Sequence, residues 1–153
     1  MIERILNGSR FKILADDIFS LFGEENIKEA HQCGLLHDKA SIVRNLSHPS
    51  LLQHDVFVWA NKNKEGRYDA VVIFLNDKNV KFNKYIFSEF IWLSKNPKVG
   101  FKLLKKAISF AREKKFEYIS INSVENSKNS ERNERFYKKI GFLKDSTTFI
   151  SKL

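Results

Sequence analysis

The spacing of apolar residues changes period repeatedly along this chain, and each change predicts a change of element. Ile2 to Leu6 and Phe11 to Leu14 both read as short strands, separated by Asn7-Gly8-Ser9, and only one of them need form. From there to Pro49 the pattern is helical. Asp16 and Asp17 favour a helix start, Leu14, Ile18, Leu21 and Phe22 share a face, and Gly23 supplies a stop. A second helical piece is expected from Glu24 to Gln32, ahead of Gly34. A third is capped by Asp38, with Ile42, Val43 and Leu46 inward and Pro49 beyond its end.

From Asp55 the period becomes that of strands. Val56 to Ala60 and Tyr68 to Leu75 form a predicted hairpin across the polar loop Asn61 to Arg67, which contains Gly66. Asn76 to Asn79 predicts another turn, leading into the apolar strand that runs from Lys84 to Ser94. The period then returns to that of a helix. Asn96 is a good N-cap, Pro97 suits the first helical position, and Gly100, Leu103, Leu104, Ala107, Ile108 and Ala111 recur on one face, with Lys102, Lys105 and Lys106 off it. Lys115 closes this helix before Phe116 to Asn122, which reads as a strand. A polar-started helix ends in Phe136 to Phe142, and Ser146 to Leu153 reads as a last strand.

A strand, a helix and a strand of this length make a right-handed crossover between parallel neighbours. The expected fold is α/β (α+β), a mixed central sheet flanked by helices, in one domain spanning residues 1–153. Ligands of open α/β sheets collect beyond the strand ends beside the next helix start, here Leu93 to Lys102. Free backbone N–H groups at such a start would suit a phosphate.

Composition narrows the setting. The chain has 153 residues, 42% of them hydrophobic and 14 of them Phe, enough for a sizeable core. The single cysteine, Cys33, excludes an internal disulfide and makes a reducing, cytoplasmic setting the default. Neither a signal-peptide run nor a membrane-length apolar stretch is present, so a soluble protein with no membrane partner is expected. His31, His37, His48 and His54 show no metal-ligand spacing, and no metal site is expected. Net charge is +9, and residues 95–115 hold eight Lys/Arg against one Glu. That excess fits a polyanionic cofactor, nucleic acid or a solvated helix face.

Two residues stand out for chemistry. Tyr85, Phe87, Glu89, Ile91 and Leu93 alternate onto one side of a strand, so Glu89 interrupts an apolar face and must be paired, protonated or open to a cleft. It reads equally as a general base and as a structural carboxylate. Tyr137 is in helical register with Asn133 and Gly141, while Phe136 and Ile140 offer the more obvious core stripe. This leaves Tyr137 for a crevice between the central strands, or as a core aromatic with its hydroxyl at the surface.

The order of these elements, over roughly residues 55 to 153, resembles the GCN5-related N-acetyltransferases. Their strand leads into a pyrophosphate loop of the form Gln/Arg-x-x-Gly-x-Gly/Ala. Here Lys95 stands at the first position, Lys98 at the first glycine and Gly100 at the last. Phe136-Tyr137-Lys138-Lys139-Ile140-Gly141-Phe142 resembles the family's aromatic-Tyr-x-Lys-x-Gly-Phe ending. The family's Asn, seven residues before that Tyr, falls on Ser130, with Asn129 adjacent. The resemblance implies transfer of an acetyl group from acetyl-CoA directly to an amine, on a small molecule or a protein. Glu89 would take the amine's proton and Tyr137 would protonate the leaving thiolate. Leu93, Lys95, Lys98, Val99, Gly100, Phe101, Lys102 and Asn129 would hold the cofactor. A catalytically silent binding module on the same fold and a basic nucleic-acid-binding protein are the alternatives.

Overall fold

Backbone pairing in a computed structural model, which describes residues 1–28, 38–122 and 130–145 with residues 24–28 as backbone only, defines a five-stranded mixed sheet. Strands β1 (Ile2–Ile5), β2 (Val56–Lys62), β3 (Tyr68–Asn79) and β4 (Lys84–Ser94) pair antiparallel in that order, and β5 (Tyr118–Ser120) joins β4 in parallel. Helices α1 (Gly8–Lys28), α2 (Lys39–Leu46) and α3 (Pro49–His54) separate β1 from β2, α4 (Pro97–Glu113) makes the β4 to β5 crossover, and α5 (Ser130–Lys139) follows. The described residues fall into two compact units. Met1–Leu21 with Asp38–Asn122 form one, which holds the sheet and α4, and α5 belongs to the other. The mixed sheet with flanking helices is the expected fold class.

Several boundaries differ from the expectation, each for a local reason. Phe11 to Leu14 is helical, because Asn7 starts α1 ahead of Asp16 and Asp17: its Oδ1 accepts from Arg10 N–H at 2.9 Å and its carbonyl from Phe11 N–H at 3.1 Å. Gly23 does end the first helical stretch of α1 as expected: its backbone leaves the helical region (φ 66°, ψ 158°), and a second helical stretch follows to Lys28. The remainder of the expected Glu24 to Gln32 piece, and the expected strand Ser146 to Leu153, lie outside the described residues. Asp38 caps α2 as expected, accepting from Ser41 N–H at 3.2 Å. Pro49 opens α3, where its missing N–H is harmless. The turn expected at Asn76 to Asn79 is strand, because these residues pair with Phe87 to Lys84. The chain reverses at Val80 to Asn83, with Asn79 Oδ1 accepting from Phe82 N–H at 3.2 Å and Asn83 at φ 52°.

Each sheet face has its own apolar set. One carries Phe57 and Trp59 of β2, Val72 and Phe74 of β3 and Phe87 of β4, and α4 packs across these three strands. All six apolar positions predicted for the inner side of α4, from Gly100 to Ala111, are buried, while Lys102, Lys105 and Lys106 are exposed. Phe74 and Phe87 stack at 4.4 Å, and Phe110 and Phe116 close on Phe57 and Phe87 at 5.0 to 6.2 Å. The Arg4 guanidinium lies over this cluster, 4.7 Å from the Phe110 ring centre, and its burial lowers its pKa. The other face is buried too, through Ile5, Val58, Ala60, Val71 and Ile73. Phe11, Leu14, Ala15 and Ile18 of α1 and Leu52 of α3 are the helical residues buried outside α4 in this unit.

Lys115 ends α4 in the left-handed region (φ 61°). Its N–H donates to Arg112 O at 3.0 Å and Phe116 N–H to Ala111 O at 2.9 Å, the bonding of a C-terminal cap that favours glycine. A side chain there is strained by roughly 1–2 kcal/mol, partly offset by glycine's greater loss of backbone entropy. Lys115→Gly should therefore raise stability by about 1 kcal/mol. Urea titration measures this, and an unchanged or lower midpoint would show that the lysine side chain supplies compensating contacts.

Candidate functional site

The site is built where β4 and β5 part. The two strands pair only along Ile86–Ser88 and Tyr118–Ser120, so from Phe90 onward β4 has no strand partner on that side among the described residues. At this fork Asn122 bridges to Glu89 twice. Its backbone N–H donates to Glu89 Oε2 at 3.1 Å, and its side-chain Nδ2 donates to the Glu89 carbonyl at 3.2 Å. An amide side chain here replaces the strand hydrogen bonds that the splay removes.

Glu89 lies beside a β-bulge. Ile73 faces Ile91 while Phe74 faces Glu89, leaving Phe90 as an extra residue on β4. The expected face from Tyr85 to Leu93 is therefore correct only as far as Glu89. Beyond the bulge Trp92 and Ser94 continue the side of Phe87 and Glu89, which is the α4 side, and Ile91 and Leu93 turn to the opposite side with Ile73 and Val71. The side chain of Leu93, expected to contact a cofactor, therefore stands on the side of the sheet away from α4.

The Glu89 carboxyl is half-buried, yet protein surrounds it closely enough for desolvation to push its pKa up to about 7 against the opposing hydrogen bonds from Asn122. Solvent reaches the group, but bulk water is largely displaced around it. No cation forms an ion pair with Glu89 among the described residues. A carboxylate so poised can accept a proton near neutral pH.

The β4 to α4 junction is tight because of Gly100. A Cβ there would lie 3.1 Å from Ser94 Cβ and 3.4 Å from Trp92 Nε1, and the indole N–H donates to the Gly100 carbonyl at 3.1 Å. Phe101 packs at a tilt against Trp92, with ring centres 5.7 Å apart. Gly100 and Phe101 thus seat the helix. Asn96 caps it as expected, its Oδ1 accepting from Lys98 N–H at 3.0 Å, and Ser94 Oγ in turn accepts from Asn96 N–H at 3.2 Å.

That capping reduces the expected set of free donors. Pro97 has no N–H, Lys98 N–H is taken by Asn96, and Gly100 N–H bonds the Asn96 carbonyl at 2.9 Å. Val99 alone keeps a first-turn N–H without a partner among the described residues. The side chains of Lys95, Lys98 and Lys102 are exposed around it. A polyanionic thioester such as acetyl-CoA fits this set, with side-chain cations doing what backbone groups do in a glycine-rich loop.

Tyr137 belongs to the other unit and is described there by itself. The stripe expected on α5 is reversed: Tyr137 is buried and Phe136 and Ile140 are half-buried. The reason lies in the helix stop. Gly141 has φ 99°, Phe142 N–H donates to the Tyr137 carbonyl at 2.9 Å and Gly141 N–H to the Lys138 carbonyl at 3.2 Å, and the Tyr137 and Phe142 rings pack 6.1 Å apart. This is the Schellman ending with its apolar contact, so Gly141-Phe142 is explained by helix termination. Asn129, Cys33, His31 and His37 lie outside the described residues. The described residues hold no group of three His, Cys, Asp or Glu able to bind a metal, and no helix long and apolar enough to cross a membrane.

Sequence reasoning missed Asn122, Trp92, Ser94 and the bulge at Phe90. Ser94 was open to detection, since Ser-x-Asn-Pro is a plausible turn into a capped helix. A bulge leaves no signal in an apolar run.

Antiparallel strands β1 to β4, a β4-α4-β5 crossover and a fork beside α4 together define the acetyltransferase fold. Among solved structures, the chain is similar over its whole length to a probable acetyltransferase, at 16% identity, covering 96% of that chain with a TM-score of 0.66. It is similar to the ribosomal-protein-alanine N-acetyltransferase from Brucella melitensis biovar Abortus 2308, at 13% identity, 100% and 99% coverage of the two chains and a TM-score of 0.60. An aminoglycoside acetyltransferase from an uncultured soil metagenomic sample, in complex with sisomicin, gives 15% identity, 100% and 95% coverage and a TM-score of 0.65. No known protein family and no curated protein matches the sequence. The chain has the fold of the GCN5-related N-acetyltransferases that its sequence resembles, and at these identities the likeness is one of fold.

Glu89 yields a stability test. A carboxyl whose pKa rises from 4.5 to about 7 on folding binds its proton more tightly in the native state. Its burden on stability is absent below pH 4.5, grows as the pH rises and is complete above about 7. Glu89→Gln should therefore gain on the wild type by on the order of 1–3 kcal/mol at pH 8, and the gap should close by pH 4.5. Denaturant midpoints of both proteins across this range test it, and a difference independent of pH would show that Glu89 is not desolvated.

Proposed function

We propose that this protein is an acetyl-CoA-dependent N-acetyltransferase that passes the acetyl group directly to an amine. The observation that carries this reading is Glu89, a carboxyl poised near neutrality where β4 and β5 part, beside the start of α4. Acetyl-CoA, when bound, supplies a thioester carbon open to attack and a thiolate that leaves. Glu89 holds the proton released by the incoming amine, directly or through a water, and Asn122 fixes the carboxylate's direction. Lys95, Lys98 and Lys102 balance the phosphate charge, Val99 N–H adds a backbone donor, and the β4 backbone beyond Glu89 offers groups to orient the acetyl and pantetheine amides. Tyr137 enters on the family resemblance alone, as the donor that returns a proton to sulfur.

The acceptor is an amine of unspecified carrier. The similar structures named above include a ribosomal-protein-alanine N-acetyltransferase and an aminoglycoside acetyltransferase, and such divergence on one fold leaves the acceptor to the residues around it. A binding module without turnover is the second reading. The capped start of α4, with Asn96, Pro97 and Lys98 in place of a glycine-rich loop, favours it.

Acetyl-CoA should raise the melting temperature by mass action. Lys98→Gly, which restores the family's loop, should leave binding intact if backbone groups dominate and weaken it if the cation does. Absence of any shift at millimolar acetyl-CoA would reject the enzyme.

With an accepted amine in hand, kcat should rise with pH through about 7, as the base loses its proton. Glu89→Gln and Tyr137→Phe should each lower kcat by roughly 10²- to 10⁴-fold with acetyl-CoA affinity unchanged. If Tyr137→Phe turns over like the wild type, Tyr137 is confined to its helix-ending role. If Glu89→Gln keeps both its rate and its pH profile, the base lies elsewhere.

A further inference from the structure

The cations of α4 exceed what a cofactor at its N-terminus can use. Lys98, Lys102, Lys105 and Arg112 recur at three, four and seven residues along one exposed side of the helix, with Lys106 beside them. At 1.5 Å per residue this line is about 21 Å long, so Lys105, Lys106 and Arg112 lie well beyond the first turn. None of these side chains forms an ion pair with a described residue.

The C-terminal end of α4 adjoins the start of β4. At the C-terminal end of α4, Lys114 Nζ lies 5.8 Å from the Phe110 ring centre, Phe116 packs on Phe87 at 5.0 Å, and Glu117 pairs with Lys84 of β4 at 2.9 Å. Tyr85, two residues before Phe87 and on the same side of β4, is 54% exposed with Lys78 Nζ 5.8 Å from its ring centre. At the tip of the β3 to β4 hairpin Phe82 is 61% exposed, with Lys81 Nζ at 5.5 Å. Exposed aromatic rings, each attended by a lysine, therefore lie near the end of β4 that adjoins the C-terminal end of the cation-bearing helix. All of it lies in one compact unit, and the aromatic end is at the opposite end of β4 from the Leu93 to Lys102 junction.

We propose that this strip binds single-stranded nucleic acid, with phosphates along Lys105, Lys106 and Arg112 and unstacked bases on Tyr85 and Phe82. A linear polyanion matches a linear row of cations, and every base offers a π-face to an exposed ring. A second copy of this chain would set like charges against each other. The exposed Val80, Phe82 and Tyr85 would also suit a lipid surface, but the cations along the length of α4 match a linear polyanion, and the vesicle arm below separates the two. Acetyl transfer plays no part in the proposal, so it stands or falls separately.

Fluorescence anisotropy with labelled oligo(U) and oligo(dT), in a salt series without acetyl-CoA, tests the strip on the full chain. Saturable binding is expected, with log affinity falling linearly with log salt. Replacing Lys105, Lys106 and Arg112 together by Gln should reduce the salt slope by about 2, at roughly 0.7 per lost phosphate contact. Phe82→Ala with Tyr85→Ala should weaken binding by about thirtyfold or more, at roughly fivefold or more per stacked base, and leave the slope unchanged. If a combined variant fails to fold, Lys105→Gln and Phe82→Leu alone carry the same two readouts. The proposal is overturned by the absence of oligonucleotide binding at low salt, by poly-glutamate competing as well as oligo(U), by aromatic variants of unchanged affinity, or by phosphatidylserine vesicles binding where oligonucleotides do not.

Discussion

The extra residue in β4 is the constraint on which the site depends. Without Phe90 as a bulge, Ile91 and Leu93 would face α4, and the helix would have to stand off from two branched side chains. With it, Trp92 and Ser94 face the helix. Gly100 can then come within contact of both, while the indole N–H satisfies a carbonyl of the first turn. The same bulge comes immediately after Glu89, at the end of the β5 pairing. Close helix seating and a carboxylate at the fork thus share one cause.

That seating also sets the electrostatics. The start of α4 is nearly self-satisfied, since Ser94, Asn96 and Pro97 take up or remove most of the donors a helix start normally exposes. Attraction for a phosphate falls to flexible lysine side chains. Such contacts are long-ranged, salt-dependent and less strict in geometry than a ring of backbone N–H groups. A chain that holds anions this way needs many cations, and the surplus along α4 meets that need and exceeds it.

Glu89 and Tyr137 illustrate two ways in which a motif residue can be over-determined. Glu89 is held by Asn122 through both backbone and side chain, and desolvation raises its pKa despite those bonds. Tyr137 is held by its own helix ending, because its carbonyl and ring are both partners of Phe142. A tyrosine five residues before such a Phe would be retained by packing even where no proton is moved. Its chemistry has to be measured, whereas its packing is evident.

By itself the sequence determined what depends on neighbours along the chain. The α4 cap at Asn96, the six inward positions from Gly100 to Ala111, the crossover into β5 and the β2 to β3 hairpin all follow from periodicity and turn chemistry within a few residues. The resemblance in β4, α4 and α5 carried the fold class as well. Where local signals competed, they misled: Asn7 started α1 ahead of two aspartates, and the polar run Asn76 to Asn79 became strand because a partner strand lay opposite. Only the tertiary structure decided the Phe90 bulge, the Asn122 bridge and the raised pKa of Glu89. Each depends on residues brought together across the sheet, and register between strands is set by packing that no single segment encodes.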